Sequence, residues 1–364
     1  MKSEFRSITQ RQFVFLILQS QIGVGILSLP HDVQAYAKGD GWISTLLAGI
    51  AVQLLFWVMW LLGRKYPDLT LFEITKKVLG NWVGWTVNLL YTAYFLLVAG
   101  LSAVLFSELI NSWILTNTPR WAILCLFIGT AYLLARENIR IMARFYVLTS
   151  IFIILLVLLV LMAYTNVEIR YVFPIGQSGI KNIFLGSQHA IIAMIGFEMI
   201  LVIYPFVQNN TKGMLQKTII VNTLVTLLYT FFVFTSLIVF SPEEIPLVSE
   251  PILYMLKSFR VTIAGRLDLL FISIWLIPMT TFLVSYLYLA SKGAASLTNK
   301  KHQSVIPFIV ILTFIIAMIP QDELSVQMFS EWVSKGSYLF IAVFPCLLLL
   351  FAVIFKEKEE IVKR

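Results

Sequence analysis

The chain has 364 residues, 59% of them hydrophobic and only 13% charged, with 28 Phe and 9 Trp. Soluble domains carry roughly 45–50% apolar and about 25% charged residues, so this chain lacks the polar side chains to coat a water-soluble fold and its solvent must be mostly lipid. The formal charge of +8 raises nucleic-acid binding as a question, but the basic residues are dispersed between apolar runs instead of gathered on one face, which excludes it.

A hydrocarbon core of about 30 Å takes about 20 helical residues. Runs of suitable length, free of Asp, Glu, Lys and Arg, recur ten times: Gln12 to His31, Gly41 to Gly63, Trp82 to Ser107, Pro119 to Ala135, Phe145 to Val167, Ile183 to Val207, Thr218 to Pro242, Leu269 to Ser291, Ser304 to Gln321 and Gly336 to Phe355. There are two exceptions: the fourth, which is short, takes in Arg120 at its edge, and the sixth carries Glu198 well inside it. Because the runs are continuous and not alternating, they predict helices instead of barrel strands. Between the second and third, Pro67 to Thr70 reads as the cap of an interfacial helix that sets Phe72, Ile74, Val78 and Leu79 against Glu73, Lys76 and Lys77. A second amphipathic stretch, Pro251 to Lys257, lies in the connection from Ser241 to Asp268. Both are expected as surface-lying helices, serving either as packing covers or as partner sites. The connections are too short to hide a soluble domain. Cys125 and Cys346 fall in apolar stretches without disulfide or metal spacing and are expected as small buried hydrophobes.

The loops set the orientation. With the N-terminus in the cytoplasm, the inside segments hold 19 of the 27 Lys and Arg, including Lys2, Arg6, Arg11, Arg64, Lys65, Lys363 and Arg364, while 11 of the 19 acids lie outside. Both termini are therefore expected in the cytoplasm, and anionic lipid adds attraction for the basic loops. Arg6 and Arg11 precede the first run as in a signal peptide, but no A-x-A-like site follows, so that run is read as an uncleaved helix. The expectation is an all-α integral membrane protein of ten transmembrane helices, one polytopic domain over 1–364. Its two repeats cover about 9–167 and 183–355, and a short charged cytoplasmic tail covers 356–364.

Two spans are interrupted by glycine. The first reads Ile22-Gly23-Val24-Gly25-Ile26-Leu27 and ends at Pro30, and the sixth reads Ile195-Gly196-Phe197-Glu198. Counted from Thr9 and from Ile183, the breaks reach similar depth from opposite sides, the sequence pointer to a five-plus-five inverted repeat with broken helices 1 and 6 and a midplane site. Unwinding leaves orphan N–H groups near Ile26, which suit a carboxylate, and orphan carbonyls around Ala193, Met194 and Ile195, which suit an ammonium. Together they would hold a small zwitterion such as an amino acid, with Gly23, Gly25 and Gly196 leaving it room. Gly pairs also serve plain helix packing.

Glu198 is the one charged residue away from the edge of any span, and an acid there costs about 2.5–3.5 kcal/mol on insertion scales. It serves either as a gating or proton-switch group, or as the cap of the second half of span six. In span eight, Pro278 is followed by Thr280, Thr281 and Ser285. These hydroxyls either line a site or repair a proline kink. Tyr91 and Tyr94 in span three are within reach of a central ligand but are also ordinary interior residues. The three histidines, His31, His189 and His302, are too scattered for a metal site. With no Ser/His/Asp set, HExxH, P-loop or GxSxG, neither an enzyme activity nor a cofactor is expected.

The Gly23-Val24-Gly25-Ile26 and Gly196-Phe197-Glu198 segments resemble signatures of the amino acid–polyamine–organocation permease superfamily. More closely, the run from Ile22 to Pro30, Gly196-Phe197-Glu198 with Tyr204-Pro205-Phe206, Arg266-Leu267-Asp268 and Ile319-Pro320-Gln321-Asp322 are similar to the B subunit of bacterial spore germinant receptors, in order and over nearly the whole chain. The resemblance implies a subunit of the spore inner membrane that senses a nutrient, commonly an amino acid or sugar, and works with an A and a C subunit. It also implies a ligand held by Gly23, Gly25, Ile26, Gly196 and Phe197 with Glu198 nearby. Some superfamily transporters place a coupling Lys in the fifth helix, and Phe145 to Asn166 has none. A permease that moves its solute remains the alternative.

Overall fold

The computed structural model describes residues 7–362 apart from Val24, Asn166, Thr211 and 262–264. Lys2, Arg6, Lys363 and Arg364 of the orientation argument, and Val24 of the first break, lie outside the described residues. The helices in chain order are α1 (Gln10–Gln21), α2 (Gly25–Ala37), α3 (Gly41–Lys65), α4 (Leu71–Leu79), α5 (Asn81–Trp113), α6 (Arg120–Ala135), α7 (Ile139–Thr149), α8 (Ile151–Leu161), α9 (Gly179–Ala193), α10 (Ile200–Ile203), α11 (Met214–Val239), α12 (Pro251–Lys257), α13 (Leu267–Thr298), α14 (His302–Met318), α15 (Glu323–Tyr338) and α16 (Phe344–Val362). Extended pairing among the described residues is confined to a two-residue ladder, Arg260–Val261 with Gly265–Arg266, and one parallel bridge between Ile8 and Val207.

Length and composition pick out six stretches able to cross a membrane: Gly25–Lys65, Asn81–Trp113, Ile139–Thr165, Met214–Val239, Leu267–Thr298 and Glu323–Ile354. A seventh is α9 with the segment Phe197–Phe206, bent by 52°. The ten expected spans differ from this tally for a simple reason. The helices α1, α6 and α14, of 12, 16 and 17 residues, are shorter than the roughly 20 residues a straight crossing takes, and Gly25–Lys65 contains two helices joined by the turn Lys38–Asp40.

The packing shows the internal symmetry. The long helices α5 and α13 lie against each other, as do α3 and α11, and the short helices exchange partners, α6 on α13 and α14 on α5. The amphipathic helices are likewise matched, α4 packing on α5 and α12 on α13. Such matched pairs are what an internal repeat of helices requires.

Local chemistry explains the element ends. Thr9 opens α1 through a capping box with Gln12, and Thr70 opens α4 through one with Glu73. As predicted, α4 buries Phe72, Ile74 and Val78. Likewise α12 buries Ile252, Leu253, Met255 and Leu256 against α2, α11 and α13 and keeps Tyr254 exposed, so it serves as a packing cover at the surface. Pro30 does not end the first span. It lies inside α2, whose packing against α3 and α9 carries the helix to Ala37.

Two interruptions were not expected. The fifth span changes register at Ser150, where the hydroxyls of Thr149 and Ser150 bond back to the carbonyls of Phe145 (3.0 Å) and Tyr146 (2.6 Å). The tenth starts at Glu323, not Gly336, capped by Asp322, and widens into a π-helical turn over Leu339–Val343. Cys125 and Cys346 are exposed, not buried as expected. Their helices present apolar faces to lipid, where a thiol needs no protein cover. The charged segment after Lys356 continues the helix α16 to Val362.

Candidate functional site

The breaks in the first and sixth spans meet in the protein interior. Gly196 has φ +117, and a Cβ on it would lie 1.9 Å from the carbonyl oxygen of Ser20, so backbone touches backbone and only glycine fits. A Cβ on Gly25 would lie 3.1 Å from Ala193 Cα, and one on Gly23 would lie 2.9 Å from the Phe282 ring. The room these glycines leave is filled here by Ser20, Ala193 and Phe282.

The carbonyls freed by the breaks have partners of their own. Tyr229 Oη lies 2.7 Å from the carbonyl of Gln21 and 2.9 Å from that of Ala193. Gln21 Nε2 donates to the Met194 carbonyl at 2.9 Å, and Ser20 Oγ donates to the Gly196 carbonyl at 3.1 Å. The sixth-span break is thus stitched by side chains of the first span and of α11, and the first-span break by α11, as buried backbone requires in lipid. Gln21 Oε1 is buried with no partner among the described residues. Ile22, Ile26, Phe271 and Trp275 border a small apolar cavity of about 10 Å³, the size of one water at most. Trp275 Nε1 is also buried and has no partner among the described residues.

Glu198 is fully buried. Its Oε1 accepts from Tyr286 Oη at 2.6 Å and from Tyr94 Oη at 3.1 Å, and its Oε2 accepts the Gly196 N–H at 2.8 Å. The carboxylate therefore bonds the backbone of the break, the capping alternative of the sequence reading, and clamps α5 and α13 to it. Tyr94 stacks on Phe340 of the π-helical turn, with ring centroids 4.4 Å apart and planes 6° apart, and Tyr91 Oη donates to the Phe340 carbonyl at 3.0 Å. Phe197 packs on Phe56 of α3 at 5.5 Å.

A second polar knot joins α1, α7 and α13. Gln19 Nε2 lies 3.3 Å from Thr149 Oγ1, Thr281 Oγ1 lies 2.8 Å from Gln19 Oε1, and Tyr146 Oη lies 2.6 Å from the Thr281 carbonyl and 2.9 Å from Ser285 Oγ. All these groups are neutral and buried. Thr280 is not part of it: a helix turns about 100° per residue, and its hydroxyl donates instead to the carbonyl of Leu276, not to the Ile274 carbonyl that Pro278 frees.

The structure thus gathers Gly23, Gly25, Ile26, Ala193, Gly196, Phe197, Glu198, Tyr94 and Thr281 around the breaks and leaves Thr280 out. Sequence reasoning missed Gln19, Ser20, Gln21, Tyr229 and Tyr286. The signal for the first three was present, since Gln19-Ser20-Gln21 is the one run of three consecutive polar residues in the first span. Tyr229 and Tyr286 stand in long apolar helices where nothing marks them. Removing the hydroxyl in Tyr229→Phe is expected to leave the carbonyls of Gln21 and Ala193 short of a donor and to cost roughly 1–3 kcal/mol, read as a lower melting temperature in detergent with the fold intact by circular dichroism. An unchanged melting temperature would remove Tyr229 from the joint.

Among the described residues no group of three or more His, Cys, Asp or Glu is gathered. Comparison with known proteins gives the chain its relatives. The family described as spore germination protein matches residues 7–326. The chain is 25% identical to the spore germination protein GerQB of Bacillus cereus over 334 residues, covering 91% of each chain. To the spore germination protein YndE of Bacillus subtilis it is 24% identical over 365 residues, covering 99% of this chain and all of that one. Among solved structures it shares its fold with MhsT in complex with L-phenylalanine, with a TM-score of 0.64 at 12% identity over 94% of this chain and 97% of that one. The same holds for a substrate-bound Na⁺-coupled sialic acid symporter, with a TM-score of 0.69 at 12% identity over 96% and 80%. With these matches and its apolar helices, the chain is an integral membrane protein and belongs to the spore germination protein family.

Proposed function

We propose that this chain is the ligand-sensing membrane subunit of a spore germinant receptor. It binds a small nutrient, an amino acid in the first instance, at the broken helices, and signals through the A and C subunits in the inner membrane of the spore with both termini in the cytoplasm. The observation that carries this reading is the contact between the two breaks at Ser20 and Gly196, closed around the buried carboxylate of Glu198. A ligand whose ammonium and carboxylate replaced the internal partners would part the joint, and the tyrosines on Glu198 would pass that movement to α5 and α13. The two repeats, about 9–167 and 183–355, then move against each other. No chemical step is assigned to the protein.

The neutral Gln19 knot supports a sensor over an ion-driven pump, because the fifth span contributes hydroxyls and no charge there. The test is reconstitution in proteoliposomes with a panel of labelled amino acids, measuring equilibrium binding and uptake with and without a pH gradient. Gly25→Leu, whose side chain must enter against Ala193, serves as the pocket control. Saturable binding lost in Gly25→Leu, without accumulation, is the expected result. Gradient-driven accumulation would make the protein a permease, and binding unaffected by Gly25→Leu would move the site elsewhere.

A further inference from the structure

Between α5 and the joint of α15 with the π-helical turn runs an open groove of about 380 Å³. Leu90 and Leu97 form one wall, Met328, Trp332 and Gly336 the other, and Tyr94 and Phe340 the floor. Leu90 and Leu97 are 44% and 39% exposed and continue the lipid-facing side of α5, where Leu89 is 43% exposed. The groove is therefore an indentation of a surface already in contact with hydrocarbon, not a pocket reached from water. Gly336 deepens it, since a Cβ there would meet nothing within 4 Å.

We propose that this groove binds one acyl chain of a membrane lipid, and that its occupancy is felt at Glu198 through the stacked pair Phe340 and Tyr94. The volume lies in the range of small-ligand pockets, roughly 300–1,000 Å³, and a helix of about 10–12 Å diameter does not enter it. Transmembrane helices associate through small-residue stripes and hydrogen bonds. The groove offers no such bond, because the Tyr94 hydroxyl at its floor is engaged with Glu198. What remains to fill it is a flexible apolar chain, with dispersion as the gain. A chain in the groove braces the Phe340 ring, which holds Tyr94 in plane, and Tyr94 holds the carboxylate that caps the sixth-span break. The binding half of the proposal stands independently of the nutrient reading, and the coupling half rests on it.

The test uses the full chain in nanodiscs of phosphatidylethanolamine and phosphatidylglycerol doped with a phosphatidylglycerol that carries a diazirine on one acyl chain. After photolysis, labelled peptides are mapped by mass spectrometry in the wild type, Gly336→Ala, Gly336→Phe and Ala93→Phe, the last filling the groove from the opposite wall. Labelling of α5 and α15 at least fivefold above that of the lipid-facing α8, preserved in Gly336→Ala and lost in both Phe variants, is expected. Equal labelling of the three helices, or labelling indifferent to both Phe variants, overturns the site. For the coupling, adding phosphatidylglycerol to delipidated protein should slow amide exchange of residues 196–203 at least threefold in the wild type but not in Gly336→Phe. Equal slowing in both overturns the coupling while leaving the site standing.

Discussion

Gly196→Ala should be the most damaging single-methyl change in the protein. At φ +117 an alanine carries about 1–3 kcal/mol of backbone strain. Its Cβ would also fall 1.9 Å from the Ser20 carbonyl oxygen, an overlap with backbone that no rotamer relieves, so α1 must retreat. Overpacking of this kind costs typically another 1–3 kcal/mol. The retreat would pull Ser20 Oγ off the Gly196 carbonyl and Gln21 Nε2 off that of Met194. The variant should therefore lose more than about 3 kcal/mol of stability and all response to ligand, measured as thermal unfolding in detergent and as binding in proteoliposomes. Gly336→Ala is the matched control: it adds the same methyl in open space on a regular helix and should be neutral or stabilising by up to about 1 kcal/mol. If Gly196→Ala melts with the wild type, the two breaks are not in contact in the membrane.

Replacement of Glu198 should separate its charge from its packing. Glu198→Ala leaves three buried donors, Tyr94 Oη, Tyr286 Oη and the Gly196 N–H, without their acceptor, at about 1–3 kcal/mol each. A loss of roughly 3–9 kcal/mol is expected. Glu198→Gln keeps one oxygen for the tyrosines but turns an amide donor toward the Gly196 N–H, so a smaller loss of about 1–3 kcal/mol is expected. The pH dependence distinguishes them further. As a carboxylate Glu198 accepts all three bonds, and a proton converts one acceptor into a donor. The melting temperature of the wild type should therefore depend on pH in a way that Glu198→Gln, uncharged throughout, does not share. Tyr94, Tyr286 and Tyr91 are the other titratable groups around it and stay neutral over pH 5–8, well below the ordinary tyrosine value of about 10. A Glu198→Gln protein with the wild-type pH profile would remove the proton-switch role.

The breaks themselves were legible because closely spaced glycines in the first run, and a glycine followed by an acid in the sixth, stand out among apolar residues. Their partners were not, because a tyrosine is marked by where its hydroxyl ends, and Tyr229 reaches Gln21 over 208 residues of chain. The glycines were correctly located, yet what approaches them was not legible: room made for a ligand and room made for Ser20 read the same in one dimension. The resemblance drew on motifs that the structure shows to be joints. Tyr204 Oη donates to the Asn210 carbonyl at 2.6 Å, and Asn210 Nδ2 in turn donates to the carbonyl of Pro67 at 2.8 Å. Arg266 pairs with the buried Asp268 at 2.6 Å, and Asp322 caps α15 while Arg120 holds the Pro320 carbonyl. Element ends were the weakest part. The tenth helix extends thirteen residues before Gly336 to Glu323, because Glu331 and Lys335 pair with each other at 3.0 Å on a helix whose other side is apolar.

The stitched breaks also carry a consequence for biosynthesis. The Ser20 hydroxyl and the Gly196 carbonyl are 176 residues apart. At about 5–20 residues per second on the ribosome, α1 waits roughly 10–35 s for the segment that completes it. During that interval Gln19, Ser20 and Gln21 lie in a short helix without the partners that later bury them. The bridge from Ile8 to Val207 and the bonds from Gln10 to the carbonyls of Asn209 and Lys212 close only after the sixth span has entered. The N-terminal half is therefore not an autonomous folding unit, and a nascent chain arrested before the sixth span would present its first helix to the quality-control proteases of the membrane as unfinished.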